Sequence, residues 1–418
     1  MTSPESDKEL LPHLFRQEYA RMTAVLCRHF GLKHIEVAED IASDTFLKAS
    51  EHWAVHGIPE NPGAWLYVVA KNRAKDYLKR VWLHETKIRD QQTDVVQPEV
   101  SFEFNRQLLS DSQLAMIFAV CNPVNPDESQ VCLALQILCG FSLEEIANAF
   151  LAKPETIKKR LYRARTNLRR DNFPIRELSE TQVKQRLDTV LRTLYLLFNE
   201  GYFSKTSDKQ IRMDLCSEAT RLTMLMTENP LTNTPQTNAL LALMCYQSSR
   251  LGARTNERGE PVLFEEQDKS QWDQSLIDRG NYYLVQATNS AVVSRYHLEA
   301  GIAYWHTTPT DQNKWHHILQ LYNQLLIIEY SPIAALNRTF AFAKVYGKQA
   351  ALPEAEKLKL ENSNYYHELL GYLYADTDSE KAADHYRAAI KLSRSKAEKQ
   401  VLRRRINALE QGAVPRGR

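Results

Sequence analysis

The sequence predicts an all-α protein of more than one domain, on three observations. At 418 residues the chain exceeds one ordinary domain of roughly 150 residues. Only 13 glycines and 16 prolines leave few turn formers for a strand-rich sandwich. Apolar residues recur at helical spacing along most of the chain, in a composition led by the helix formers Ala, Leu, Lys, Arg, Glu and Gln. With 43% hydrophobic and 25% charged residues the composition is globular and excludes wholesale disorder.

Leu14, Tyr19, Met22, Leu26 and Phe30 lie on one stripe that ends at Gly31, and Val37, Ile41, Thr45, Phe46 and Ala49 mark a second helix. Pro59, Pro62 and Gly63 break the chain before a third helix, predicted from Ala64 to about Val81, with Trp65, Leu66, Val69 and Leu78 inward. Residues 84–104 lose this periodicity and gain Gln, Asp and Glu, so they read as a linker. Helical texture returns over Phe104–Val120, is cut by Asn122-Pro123-Val124-Asn125-Pro126, and resumes at Asp127. A helix Gln130–Leu138 ends at Cys139-Gly140. Ser142, three residues before Glu145, is a capping box that opens a short helix Leu143–Phe150. Leu151-Ala152-Lys153 make a turn, and Pro154 suits the first turn of a helix that runs to about Arg170. Two helices joined by so short a turn form a helix-turn-helix, with Ile146, Ala147, Ile157 and Leu161 as its packed seam.

Beyond Pro174 the chain changes character. Gln182 to Gly201 is strongly apolar, with Leu187, Leu191, Leu194, Tyr195 and Phe198, and tyrosine-rich helical hairpins follow. Tyr296-His297-Leu298-Glu299-Ala300-Gly301 is echoed by Tyr366-His367-Glu368-Leu369-Leu370-Gly371, each followed by a second helix (Trp315–Ile328 and Lys381–Leu392). The spacing is about twice the 34-residue tetratricopeptide period. Arg254–Gln267 reads as a polar loop.

Charge is balanced overall, 53 basic against 51 acidic residues, but its distribution is not. Between Leu151 and Arg170 stand Lys153, Lys158, Lys159, Arg160, Arg163, Arg165, Arg169 and Arg170 against Glu155 alone. Like charges one turn apart repel, so this run is costly beside water and favourable beside phosphates, where each neutralised charge releases counterions. Lys71, Arg73, Lys75, Lys79 and Arg80 repeat the pattern with Asp76 opposing, among Trp65, Tyr67, Tyr77 and Trp82. Cations interleaved with aromatics suit unstacked single-stranded bases, and a core aromatic set with a snorkelling basic face fits the same residues. No run approaches the ~18 apolar residues of a membrane span. Met1–Glu9 is polar, unlike a secretory signal, and six cysteines scattered without a CxxC pair suit buried reduced thiols, so a cytoplasmic location is expected.

Catalytic signals are weak. His52 and His56 share a helix face but lack a third ligand, and His297, Glu299 and His306 do not share one. No GxSxG, P-loop or GxGxxG is present. Glu39, Asp40 and Asp44 make an acidic helix face that suits solvent or a partner better than catalysis. No enzyme, metal or cofactor is expected.

Taken together, residues 10–170 resemble a bacterial RNA polymerase sigma factor of the sigma-70 family, in the extracytoplasmic-function (ECF) group. Ala38–Ala49 is similar to the region 2 helix that docks on the polymerase clamp, and Pro62–Leu78 to the part of region 2 that melts and reads the −10 element. Ser142–Leu168 resembles the region 4 helix-turn-helix that reads the −35 element. Leu191–Tyr202, with its Phe198-Asn199-Glu200-Gly201-Tyr202, is similar to the start of the long helical, tetratricopeptide-like extension of one ECF subgroup.

The resemblance implies region 2 over 10–83, a linker over 84–104, region 4 over 105–172 and a helical extension over 180–418. It implies that Asp40, Asp44 and Phe46 contact polymerase, and that Asn72, Arg73, Lys75, Asp76 and Tyr77 capture flipped bases and the non-template strand. In the second helix of the turn motif, Thr156, Lys158, Lys159 and Tyr162 would reach base edges or nearby phosphates, with Arg160, Arg163 and Arg165 on the backbone. The expected partners are core RNA polymerase and promoter DNA, with a protein or peptide partner open for the extension. The alternative is a ligand- or partner-controlled helix-turn-helix regulator that does not join polymerase, which leaves the region 2 motifs without a purpose.

Overall fold

The structure, a computed structural model, describes residues 4–88, 104–203, 209–254, 256, 262, 264–289, 292–307, 312–393 and 395–411. Among these are eighteen α-helices and no strand, the all-α architecture that the periodicity and the scarcity of turn formers predict. The chain divides into two compact units, Met1–Thr232 and Asn233–Arg418.

The first unit contains α1 (Pro4–Phe30), α2 (Ile35–His56), α3 (Pro62–Ile88), α4 (Arg106–Val120), α5 (Asp127–Leu133), α6 (Leu143–Ala149), α7 (Pro154–Asp171), α8 (Glu180–Tyr202) and α9 (Lys209–Thr227). Every residue of α4 from Ser112 to Val120 is buried, so this helix is enclosed on all sides. It packs on α1, which also holds α2 and α3, while Met22, Leu26, Leu32, Ile35 and Leu66 close the core between them.

The helix boundaries depart from expectation in two places. α3 continues to Ile88, so the first residues of the expected linker are helical, and 89–103 lie outside the described residues. The helix expected over Gln130–Leu138 starts at Asp127, and its last turn, Ala134–Leu138, widens to π geometry.

A larger difference concerns α8 and α9. They belong to the first unit, α8 packed on α4 and α5 and α9 on α4 and α6. Val190, Leu191, Leu194, Leu197 and Phe198 form the buried stripe of α8. Polar bonds fix the pairing: Thr193 donates to the Gln130 side chain at 2.8 Å. Arg186 donates to the Phe118 carbonyl at 3.0 Å and to Asp171 at 2.7 Å, with its guanidinium 4.4 Å from the Phe173 ring centre. The structural boundary therefore falls at Thr232, about fifty residues beyond the start of the expected extension at 180.

The second unit contains α10 (Pro235–Ser248), α11 (Gln274–Ala287), α12 (Arg295–Thr307), α13 (Lys314–Ile328), α14 (Pro332–Tyr346), α15 (Lys348–Glu356), α16 (Asn364–Tyr374), α17 (Ser379–Leu392) and α18 (Lys396–Glu410). Each helix packs on the next, and α10 also meets α12 as α14 meets α16. The two echoing sequence motifs lie on α12 and α16. Their glycines let the following helix approach: a Cβ at Gly301 would stand 3.2 Å from Leu321, and one at Gly371 2.5 Å from the Tyr386 ring. Gly280 of α11 does the same for Tyr246 of α10 at 2.7 Å. Of the expected polar loop, the described parts include two single 3-10 turns, Gly252–Arg254 and Phe264–Glu266.

All six cysteines are buried free thiols, with burial raising the thiol pKa where a shift is resolved, Cys121 to about 12. Among the described residues no helix is long and apolar enough to cross a membrane.

Candidate nucleic-acid interface

The helix-turn-helix is built by local chemistry. The Ser142 hydroxyl accepts from the Glu145 amide at 3.2 Å and the Glu145 carboxylate from the Ser142 amide at 2.8 Å, which caps α6. Leu151 turns the chain at φ +48°, and the Ala152 amide donates back to the Ala147 carbonyl at 2.9 Å. Pro154 then starts α7. Ile157, Leu161, Ala164 and Leu168 form one buried stripe along α7, against the buried Ile146 and Ala147 of α6.

The opposite face of α7 is open. Thr156, Lys158, Lys159, Tyr162 and Arg163 are exposed, Tyr162 by 70%. Among the described residues no carboxylate pairs with Lys158, Lys159 or Arg163, so this face presents unneutralised charge beside an aromatic ring.

Two arginines expected to join that face do not. Arg160 pairs with Glu128 at 2.5 Å, with its guanidinium 5.8 Å from the Phe150 ring centre. Arg165 is 15% exposed and donates to both carboxylate oxygens of Glu39 at 2.7 Å, with further bonds to Gln136 at 2.8 and 3.0 Å. Burial disfavours its charge, and the hydrogen bond and field of Glu39 outweigh that, so the guanidinium stays charged. One turn on, Arg169 pairs with Glu36 at 2.6 Å. The C-terminal half of α7 is thereby tied to α2, and in this arrangement neither Arg160 nor Arg165 offers a free cation to phosphate. Sequence reasoning missed the partnership, although its signal was present: acids three apart at Glu36 and Glu39 match cations four apart at Arg165 and Arg169.

On α2 the expected polymerase residues separate. Asp40 and Asp44 are exposed one turn apart. Phe46 is 5% exposed and packs edge-on against Phe15 at 5.0 Å, so its ring is part of the core and is not offered to a partner. The expectation for Phe46 is corrected, because Phe15 on α1 packs over its ring.

On α3, Asn72, Lys75 and Asp76 are exposed. Arg73 pairs with Asp44 at 2.6 Å, both half in solvent, which joins the expected strand-capturing surface to the expected polymerase surface. Tyr77 is half-buried against Phe30, ring centres 5.3 Å apart. Tyr67 hydrogen-bonds Glu18 and lies 4.9 Å from the Phe104 ring, a packed position.

The tempting histidines have ordinary partners. His52 and His56 stack on each other at 4.3 Å in solvent, and His297 accepts from the Ser294 amide at 3.1 Å. No group of three metal-ligating side chains occurs among the described residues.

Comparison with known proteins adds three findings. Residues 14–83, which hold most of α1, all of α2 and α3 as far as Leu83, match the family described as sigma-70 region 2. Residues 186–288 match a family of unknown function, beginning within α8 and ending just past α11. An uncharacterized protein of Rhizobium meliloti (strain 1021) is 31% identical over 356 residues, 83% of each chain. No solved structure matches the chain.

Proposed function

We propose that the chain is a sigma factor of the sigma-70 family, in the ECF group, that joins core RNA polymerase and directs it to promoters with two DNA readers; its match to sigma-70 region 2 supports this. The observation that carries the reading is the pairing, in one compact unit, of a sigma-70 region 2 with a capped helix-turn-helix whose outer face is unneutralised and basic. Region 2 would dock through Asp40 and Asp44 and hold unstacked bases with Asn72, Arg73, Lys75, Asp76 and Tyr77. α7 would enter the major groove with Thr156, Lys158, Lys159 and Tyr162 toward base edges and Arg163 on the backbone.

The two readers cannot act while α7 is tied to α2. Elements at −35 and −10 are about 25 base pairs apart, or about 85 Å at 3.4 Å per step. The promoter-bound form therefore lacks the Arg165–Glu39 and Arg169–Glu36 pairs, and releases both arginines toward DNA.

Beyond Thr232, the second unit is read as the tetratricopeptide-like part of the extension, modulating transcription. The hairpins, with a glycine admitting a neighbouring helix at Gly280, Gly301 and Gly371, support that reading. Run-off transcription with purified core polymerase on a promoter library tests the whole proposal. Promoter-specific transcripts that require the chain are expected. A regulator of the other class would bind DNA and fail to co-purify with core enzyme, and that outcome would reject the sigma reading.

A further inference from the structure

The end of α6 is closed by two backbone bonds that reverse the chain. The Leu151 amide donates to the Asn148 carbonyl at 3.2 Å, and the Ala152 amide to the Ala147 carbonyl at 2.9 Å. The left-handed residue of such a closure is usually glycine, because a Cβ there crowds the backbone. Here it is Leu151, at φ +48°. Its side chain is 63% exposed, so burial does little to offset the strain. An exposed leucine alone is ordinary. One that also carries backbone strain points to a use outside the fold.

Leu151 lines a groove of about 580 Å³ within the first unit, together with Val131 of α5, Phe150 at the end of α6, Leu196 of α8 and Phe203 just past α8. Phe203 is 61% exposed, so the groove presents a second open apolar side chain. Asp127 and Glu128 line it too, and each is paired, with Arg192 at 2.8 Å and with Arg160 at 2.5 Å. Glu200 differs from both. It is half-buried, no cation pairs with it among the described residues, and burial and then Glu128 raise its pKa. The sequence motif Phe198-Asn199-Glu200-Gly201-Tyr202 is thereby divided in use: Phe198, Gly201 and Tyr202 are buried, and Asn199 and Glu200 line the groove.

We propose that this groove docks a partner protein through a short amphipathic segment, which sets an apolar side chain against Leu151 and Phe203 and a lysine or arginine against Glu200. Charge complementarity selects that occupant. A carboxylate set among apolar side chains is answered best by a cation that arrives with apolar surface of its own. DNA is disfavoured, because the uncompensated charge of the groove is negative and repels phosphate. A second copy in a twofold dimer is disfavoured as well, because groove on groove brings two Glu200 carboxylates together. None of the residues proposed to read promoter DNA or to dock on polymerase lines the groove, so the inference goes beyond the sigma reading.

The test follows the fluorescence anisotropy of labelled helical peptides of about 14 residues with the full chain. The probe carries leucines along one face and lysines on the other. One control replaces its lysines with glutamates, and another replaces its leucines with serines. Saturable binding of the probe is expected, at least about tenfold tighter than either control. Leu151→Gly should weaken the probe at least about tenfold while Tm stays level or rises by up to about 2 °C, since glycine relieves the strained turn. Leu151→Asn tolerates the same φ and should repeat that pattern. Glu200→Gln keeps the shape of the groove and should weaken the probe about fivefold. Promoter DNA binding by Leu151→Gly should match the parent in a gel shift. Several outcomes would overturn the proposal. A Tm several degrees lower in both Leu151 variants makes the leucine a packing residue, and lost DNA binding makes it a DNA contact. Probe binding that survives in the Leu151 and Glu200 variants, or equal binding of the glutamate peptide, removes the groove as the dock. A dimer in sedimentation that Leu151→Gly dissolves gives the surface to a second copy.

Discussion

Single side chains decide how α7 is used. Its cations fall into a paired set, Arg160, Arg165 and Arg169, and an exposed set without carboxylate partners, Lys158, Lys159 and Arg163. Replacing Lys158 and Lys159 with alanine should weaken promoter binding and reduce the salt slope of log K by about two units, since each lost phosphate contact removes about 0.9. Equal slopes for the variant and the parent in a salt titration would take these lysines off the DNA. The second unit offers a pH test. Burial, and then the Glu398 carboxylate, raise the Glu368 pKa from its ordinary 4.5 to about 7. Between those values the folded state holds a proton that the unfolded state has released, so stability falls as pH rises through this window. Glu368→Gln should flatten Tm between about pH 5 and 7.5, as melting curves at several pH values will show. The sequence displays Glu368 plainly but not its burial, which depends on α18 bringing Glu398 near.

Elements carry the next set of expectations. The contact of α7 with α2 holds two ion pairs, one of them bidentate and largely out of solvent. Breaking one partner of such a pair leaves a buried charge, so Glu39→Gln should lower stability measurably. With Glu36→Gln added, promoter binding by the free protein should tighten, because Arg165 and Arg169 no longer have to be withdrawn from α2. A gel-shift comparison at fixed salt checks this, and no gain would mean that the contact does not compete with DNA. Among the hairpins, Gly371→Ala would drive a methyl to within 2.5 Å of the Tyr386 ring, which sits 4% exposed in the core. Overpacking of this kind costs about 1–3 kcal/mol, readable as a lower denaturation midpoint. The capping box of α6, the proline at the head of α7 and the apolar stripe between them were legible in sequence, because each is a relation over three to seven residues. The pairing of α7 with α2 was not, because its partners lie 126 and 133 residues apart.

For the whole molecule, the division at Thr232 changes where the chain can be cut. Ending it at Pro174 would strip α8 and α9 from α4, α5 and α6 and leave their buried faces in water. Such a fragment should aggregate or melt early. A chain ending at Thr232 should stay folded as a monomeric helical protein by circular dichroism. In purified transcription with core enzyme, a changed activity of that fragment would place regulation within the chain. Unchanged activity there, with a change only in cells, would assign the second unit to an outside partner.

The sequence by itself determined the all-helical class, the turn motif, the basic outer face and the inner stripe of its second helix. Helix formation, capping and amphipathic spacing depend on neighbours within about two turns, and those are written in order along the chain. Only the tertiary structure decided which charges are spent inside the protein. Arg165 and Lys158 belong to one basic run, yet Glu39 neutralises the first and nothing described neutralises the second. Phe46 reads as a polymerase contact until α1 covers it. A charge's availability and a ring's burial are set by distance in space, and the order of residues does not contain that distance.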